Sequence, residues 1–151
     1  MEYKVKITSQ TGEEISFGYT KNDKNTIKDI EINFDTIEEN VYRKGDGSLL
    51  HLKIEGDIKY DDVESLTTVD ALIKLFDWTR SEKSEELYRT VEIEVWNNDI
   101  RLRAYTFEKM FVEDYTEKYH SSSQRGAESK SGFELKLTQM ENNFDKAISF
   151  K

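Results

Sequence analysis

The chain has no cysteine and no proline, two histidines and seven glycines among 151 residues. Without cysteine there is no disulfide frame and no thiolate metal site. His51 and His120 leave little for an imidazole-based metal centre or a nucleophile–histidine pair. His51 falls on the polar parity of its strand and His120 at a loop edge, so both read as surface histidines. No run approaches the roughly 18 apolar residues of a membrane-spanning helix. The opening MEYKVKITSQ lacks the apolar stretch of a signal peptide, which leads to an expectation of cytoplasmic assembly without membrane insertion. Positive charge is in short supply: 22 Lys and Arg stand against 31 Asp and Glu, a net charge of −9. Such a balance argues against binding a phosphate backbone. Gly-rich phosphate loops, nucleophile elbows and zinc motifs are missing as well. What is there is a chain of 36% hydrophobic and 12% aromatic residues, enough for a real core and too apolar for wholesale disorder. Its length predicts one domain over residues 1–151. Zero proline suits long uninterrupted strands.

Residues 90–107, TVEIEVWNNDIRLRAYTF, alternate on both sides of a turn. Val91, Ile93 and Val95 point one way; Glu92, Glu94 and Trp96 point the other. After the turn, Ile100, Leu102 and Ala104 alternate with Arg101, Arg103 and Tyr105. Period two with β-branched residues predicts strands. Asn97-Asn98 can close the hairpin, because Asn tolerates the left-handed backbone of a two-residue loop. This loop sets Glu94 opposite Arg101 and Glu92 opposite Arg103. Sliding it to Asn98-Asp99 keeps every side chain on the same face. The hairpin is thus expected to have one apolar face and one charged face carrying Trp96 and Tyr105.

Other stretches alternate too. Tyr3, Val5 and Ile7 are in step, as are Ile15, Phe17 and Tyr19, then Ile30, Ile32 and Phe34. Leu50, Leu52, Ile54, Ile58 and Tyr60 keep one parity, with Gly56 as a candidate bulge. Phe111, Tyr115 and Tyr119 share a parity within residues 109–119, and Phe133, Leu135 and Leu137 form a last strand. Between residues 61 and 80 the period changes: Val69, Leu72, Ile73 and Phe76 recur at helical spacing, widened by Leu75 and Trp78. Thr67 with Asp70 resembles a capping box. Residues 81–86 read as a charged linker, 120–132 as a mobile polar loop, and 141–151 as a tail. About eight strands and one helix predict a mainly β fold, a small barrel or a two-sheet sandwich.

Chemistry is sparse. Asp57, Asp61, Asp62 and Glu64 could offer oxygen ligands to a hard cation, but they lack the spacing of a calcium loop. Carboxylates approaching a helix N-terminus account for them better. Trp96, Tyr105, Arg101 and Arg103 form a conceivable base-stacking set; Glu92 and Glu94 neutralise the arginines, and interface anchoring suits the aromatics equally. No catalytic residue, metal or cofactor is expected. Hydrolysis by the acidic cluster and ligand carriage inside a monomeric barrel are the rival readings.

The order of elements after residue 66 resembles the tube proteins of contractile injection machines, the hemolysin-coregulated protein (Hcp) family of type VI secretion and related phage tail-tube proteins. The resemblance lies in the helix VDALIKLFDW, the hairpin VEIEVWNNDIRLRAYTF, the segment FEKMFVEDYTEKYH with Tyr115-Thr116-Glu117, and the strand GFELKLTQ. It covers about residues 66–140; Thr67-Thr68 stands where a Ser-Pro is frequent in the secretion-system proteins. The resemblance implies a structural subunit without catalysis, building stacked six-membered rings with sheath, baseplate or spike proteins as partners, assembled in the cytoplasm and exported or injected with the tube. Trp96 and Tyr105, aromatics on an otherwise charged face with Arg101 and Arg103, are the expected contacts between such subunits. A long early connection, residues 35–48, would reach the adjacent ring through Ile37, Val41, Tyr42, Arg43 and Lys44.

Overall fold

The computed structural model describes residues 1–21, 23–35, 49–58, 66–121, 131–140 and 148–150. Eight strands are seen: β1 (Glu2–Thr8), β2 (Glu14–Phe17), β3 (Ile27–Asp35), β4 (Leu49–Asp57), β5 (Arg89–Asn97), β6 (Ile100–Lys118), β7 (Gly132–Gln139) and β8 (Ile148–Phe150). Two helices, α1 (Leu66–Thr79) and α2 (Ser84–Leu87), lie between β4 and β5. The charged linker expected before the hairpin thus contains a helical turn, and the unclassified tail contains a short strand.

The strands make one antiparallel sheet in the order β2-β1-β5-β6-β7-β4-β3, with β8 also on β6. This sheet curls on itself. Phe17 of β2 stacks on Phe133 of β7 with ring centroids 5.4 Å apart, and β1 lies beside β3. Alternating apolar residues from all seven strands of the ladder therefore meet in one core: Val5, Ile7, Ile15, Phe17, Ile27, Leu52, Ile54, Val91, Ile93, Phe107, Met110, Leu135 and Leu137 are at most 3% exposed. Small barrels fill their interior with side chains in this way. Gly56 keeps the inward parity of β4, and an added Cβ there would lie 2.4 Å from the Phe133 ring. The missing side chain is the space the ring fills.

α1 supplies Ala71, Leu72, Leu75 and Trp78 to the core and packs against β2 and β6. Its buried arc is rotated from the expected stripe: Ile73 and Phe76 are 55% and 49% exposed. Leu75 and Trp78, expected at the margin, are the centre. Thr67 lies inside the helix, not before it; its side chain is outside the described residues.

β6 is one strand of 19 residues, where two were expected. Three irregularities let it stay continuous while its inward parity changes. Register shifts against β5 between Val95 and Trp96 and between Arg89 and Val91 leave Leu102 and residues 108–109 as the extra positions. Against β7, Glu113 is the extra residue. Lys109 takes a φ of 58° at the second of these. Buried Gln139 donates from Nε2 to the Glu108 carbonyl at 2.9 Å, and the Met140 N–H reaches the Lys109 carbonyl. The bend is thereby hydrogen-bonded, as a buried backbone requires.

Candidate interaction surfaces

The β5–β6 hairpin closes through Asn98-Asp99, with Asn98 at φ 54° and Asn97 opposite Ile100. The bulge at Leu102 then flips the side chains that follow it, as far as the next irregularity at residues 108–109. Ile93 pairs with Tyr105, Glu94 with Ala104 and Val95 with Arg103. Ile93 is fully buried, as expected, and Arg101 donates to Glu94 at 3.1 Å, but Glu94 lies opposite Ala104, not Arg101, and Glu92 opposite Thr106, not Arg103. The four residues expected on one interface face are divided. Trp96 and Arg101 are cross-strand partners on the outward face. Tyr105 turns toward the core and stacks on Phe107 at 5.5 Å. Arg103, exposed at the hairpin end, lies over the Tyr105 ring at 5.1 Å.

An aromatic–cation row crosses the outward face of β5, β1 and the end of β2. Lys4 Nζ sits 4.8 Å from the Trp96 ring and 5.7 Å from the Tyr19 ring; Lys6 Nζ is 5.1 Å from Tyr19. Strand parity predicts Tyr19 inside with Phe17. Gly18 prevents this: its φ of 86° turns the chain, and its bare Cα sits so close to β1 that a Cβ would lie 2.4 Å from the Tyr3 carbonyl oxygen. Burial, followed by the nearby Glu94, Glu92 and Glu14 carboxylates, pushes the Tyr19 hydroxyl up to about 12. Trp96 keeps its buried Nε1–H without an acceptor. A groove of about 250 Å³ runs beside this row, lined by Lys6, Tyr19, Glu92, Glu94, Arg101 and Ala104 among others.

The outward face of β3, β4, β7 and the second half of β6 is different in kind. Its charges already pair: Lys28 with Asp57 at 3.4 Å and Lys53 with Glu134 at 3.9 Å across strands, Lys53 with Glu55 at 3.1 Å and Lys136 with Glu134 at 3.6 Å along one strand. The bulge at Glu113 aims its carboxylate over β7. Thr138 donates to it at 2.8 Å, and His51 Nδ1 lies 3.2 Å from the Thr138 hydroxyl and 3.5 Å from Glu113 Oε2. His51 is on the polar side as expected but half-buried and tied to β6 through β7, a contact that only the bulge creates. Shallow grooves of about 410 and 160 Å³ open on this face. Interior space is taken by Trp78, Phe17, Leu75 and Met110, each under 2% exposed, which speaks against a ligand carried within the barrel.

Near the end of β6, Glu117 accepts hydrogen bonds from the hydroxyls of Tyr115 at 2.5 Å and Tyr119 at 2.9 Å. Burial and this bonding raise both tyrosine pKa values. Where the helices meet the β1–β2 turn, Arg89 is 2% exposed. Its Nε donates to the Glu86 carbonyl, Nη2 pairs with the Glu86 carboxylate at 3.2 Å, and its guanidinium lies 5.2 Å from the Trp78 ring. Burial lowers its pKa, while Glu13 and Glu86 oppose that shift. Among the described residues no group of three metal-ligating side chains converges, and no helix is long and apolar enough to cross a membrane. Asp57 is engaged by Lys28; Asp61, Asp62 and Glu64 lie outside the described residues, as do Ile37, Val41, Tyr42, Arg43 and Lys44.

No family model and no curated protein matches the chain. Solved structures do. An Hcp protein crystal structure matches 100% of this chain and 99% of its own, with a TM-score of 0.58 at 9% identity. A variant Hcp1 from E. coli EAEC 042 matches over 99% and 98% at the same TM-score and 8% identity. A chain of the sheath–tube complex of the extracellular contractile injection system PVC matches over 98% and 87%, with a TM-score of 0.51 at 13% identity. From end to end, then, the chain has the mainly β fold of Hcp and of contractile-injection tube structures, as the order of elements in its second half implied.

Proposed function

We propose that this chain is a structural subunit of a hollow tube in a contractile injection apparatus, of secretion-system or phage-tail-like type, working as stacked rings of six. The observation that carries this reading is the end-to-end likeness to Hcp and sheath–tube structures at both halves of the chain. The sheet supports it physically. β2 and β3 end the ladder order and have no ladder partner on their outer sides among the described residues. Unpaired edges invite strand addition, and a head-to-tail ring covers one with the other. The single domain of residues 1–151 catalyses nothing and holds no cofactor in this role; its task is geometric. The sheath, baseplate and spike of the same apparatus are its partners, and it leaves the cytoplasm as part of the tube. Trp96 and Arg101, with Arg103 and Tyr105 at the hairpin end, contribute to contacts between subunits. Ile37, Val41, Tyr42, Arg43 and Lys44 reach the next ring.

Negative-stain electron microscopy and light scattering of the purified chain test this. Rings that stack are expected. Replacing residues 37–45 by a short Gly/Ser linker should leave rings that no longer stack. A chain that remains monomeric at high concentration in several buffers would refute the reading.

A further inference from the structure

β6 belongs to two ladders in turn. Its pairing with β5 ends at Met110, and its pairing with β7 runs from Met110 to Lys118. Among the described residues, residues 112–118 therefore have a ladder on one side only. They form one margin of a four-stranded sheet, β6-β7-β4-β3, and β3 forms the other. β1 lies beside β3 without a ladder to it.

Both margins are short of cover on the inward face. Leu137, Leu135, Leu52 and Ile54 on the middle strands are at most 1% exposed. Their cross-strand partners at the margins, Val112, Tyr115, Ile32 and Ile30, are only half-buried. A further strand on either side would complete the burial and pair the open edge. On the outward face the margins differ in sign. Asp29 on β3 and Lys118 on β6 are both exposed, and neither is in an ion pair among the described residues.

Direction matches as well. The steps β6–β7, β7–β4 and β4–β3 are all antiparallel, so the two margins run in opposite senses. Rotation about a ring axis that runs along the strands keeps each sense. β3 of one copy thus meets the next copy's β6 in antiparallel fashion.

We propose that β3 of one subunit pairs with residues 112–118 of the next, with Asp29 opposite Lys118 and Ile32 opposite Tyr115. This register sets Glu31 against Thr116 and Asn33 against Asp114, so no like charges are opposed. Ile30 falls opposite Glu117, whose carboxylate is turned to the Tyr115 and Tyr119 hydroxyls. The contact is heterologous, as a closed ring requires. It rests on the ring reading above and names the second half of β6, in place of the four-residue β2, as the strand that covers β3.

The chain has no cysteine, and Cα atoms of cross-strand pairs, about 4.5–5.5 Å apart, lie within disulfide reach. The full-length variant Asp29→Cys, Lys118→Cys, purified reduced and oxidised gently, should give a ladder of covalent oligomers ending at the ring size. Each single variant gives at most dimers. In parallel, Asp29→Lys and Lys118→Asp should each raise the concentration at which rings form several-fold, and the two together should restore it. Normal rings without a ladder from the cysteine pair overturn this contact and leave the ring reading standing. A ladder from Ser16→Cys with Asp29→Cys, in place of Asp29→Cys with Lys118→Cys, gives the β3 edge to β2 and overturns it too. A wild-type chain that forms no rings overturns both.

Discussion

Gly18 and Ile93 show how single positions fix the two faces of the sheet. Gly18 is required twice, by its left-handed φ and by its approach to the β1 backbone. Gly18→Ala should lose roughly 1–3 kcal/mol through backbone strain alone, with a further loss from the contact with Tyr3. The measured denaturant midpoint should fall, and tyrosine fluorescence or ionisation should report the displaced Tyr19. An unchanged midpoint would mean that the turn relaxes freely. Ile93 sits fully buried in the middle of β5. Ile93→Asp places a carboxylate among apolar side chains and should cost about 4 kcal/mol or more, seen as loss of the cooperative thermal transition. A variant that melts with the wild type would reverse the inward assignment of Ile93. Ile93's burial was legible from alternation alone, because β5 runs without a flip as far as Val95. Tyr19's position was not, since φ at Gly18 is invisible to a parity count.

The element that the chain is organised around is β6. Its three irregularities at Leu102, residues 108–109 and Glu113 each move the inward side by one residue, since facing alternates with period two. Phe107, Met110 and Tyr115 all face inward, at spacings that no single alternation connects. The irregularities at residues 108–109 and at Glu113 are anchored from β7, and Gln139 is the clearest anchor. Gln139→Ala should leave the Glu108 carbonyl without its donor and cost roughly 1–3 kcal/mol. Amide exchange at Met140, whose N–H bonds the Lys109 carbonyl, should accelerate with it. Exchange unchanged at that amide would show that the bend stands without its glutamine. α1 gives the same lesson in helical form. Val69, Ile73 and Phe76 have helical spacing and so do Ala71, Leu72, Leu75 and Trp78; spacing predicts a helix but does not choose which apolar side turns inward.

Across the whole molecule, Tyr19, Tyr115 and Tyr119 couple stability to alkaline pH. Tyr19 titrates at about 12 in the folded chain against an ordinary 10.0, and Tyr115 and Tyr119 shift in the same direction. The folded state thus holds these protons more tightly than the unfolded state. Their contribution to stability is fully present below pH 10 and is lost as pH rises through 10 toward 12 and beyond. Urea midpoints should therefore fall over that window, and Tyr115→Phe should flatten the fall. Absorbance titration should show part of the tyrosine signal ionising late. Midpoints flat from pH 9 to 12 would sever the link.

By itself the sequence determined the class of this protein. Period-two alternation predicted strands, one helical period predicted α1, and the lack of cysteine and proline removed disulfides and proline breaks in strands as themes. Burial drives such patterns, and burial leaves its mark on each segment separately. Tertiary structure decided what depends on relations between segments: the flips along β6, the outward turn of Tyr19, the inward side of α1, and the link from His51 through Thr138 to Glu113. Each of these is set by which neighbour a residue meets across the sheet or under the helix. Those neighbours lie as many as 87 residues apart in the chain, as His51 and Thr138 do, beyond the reach of any local period.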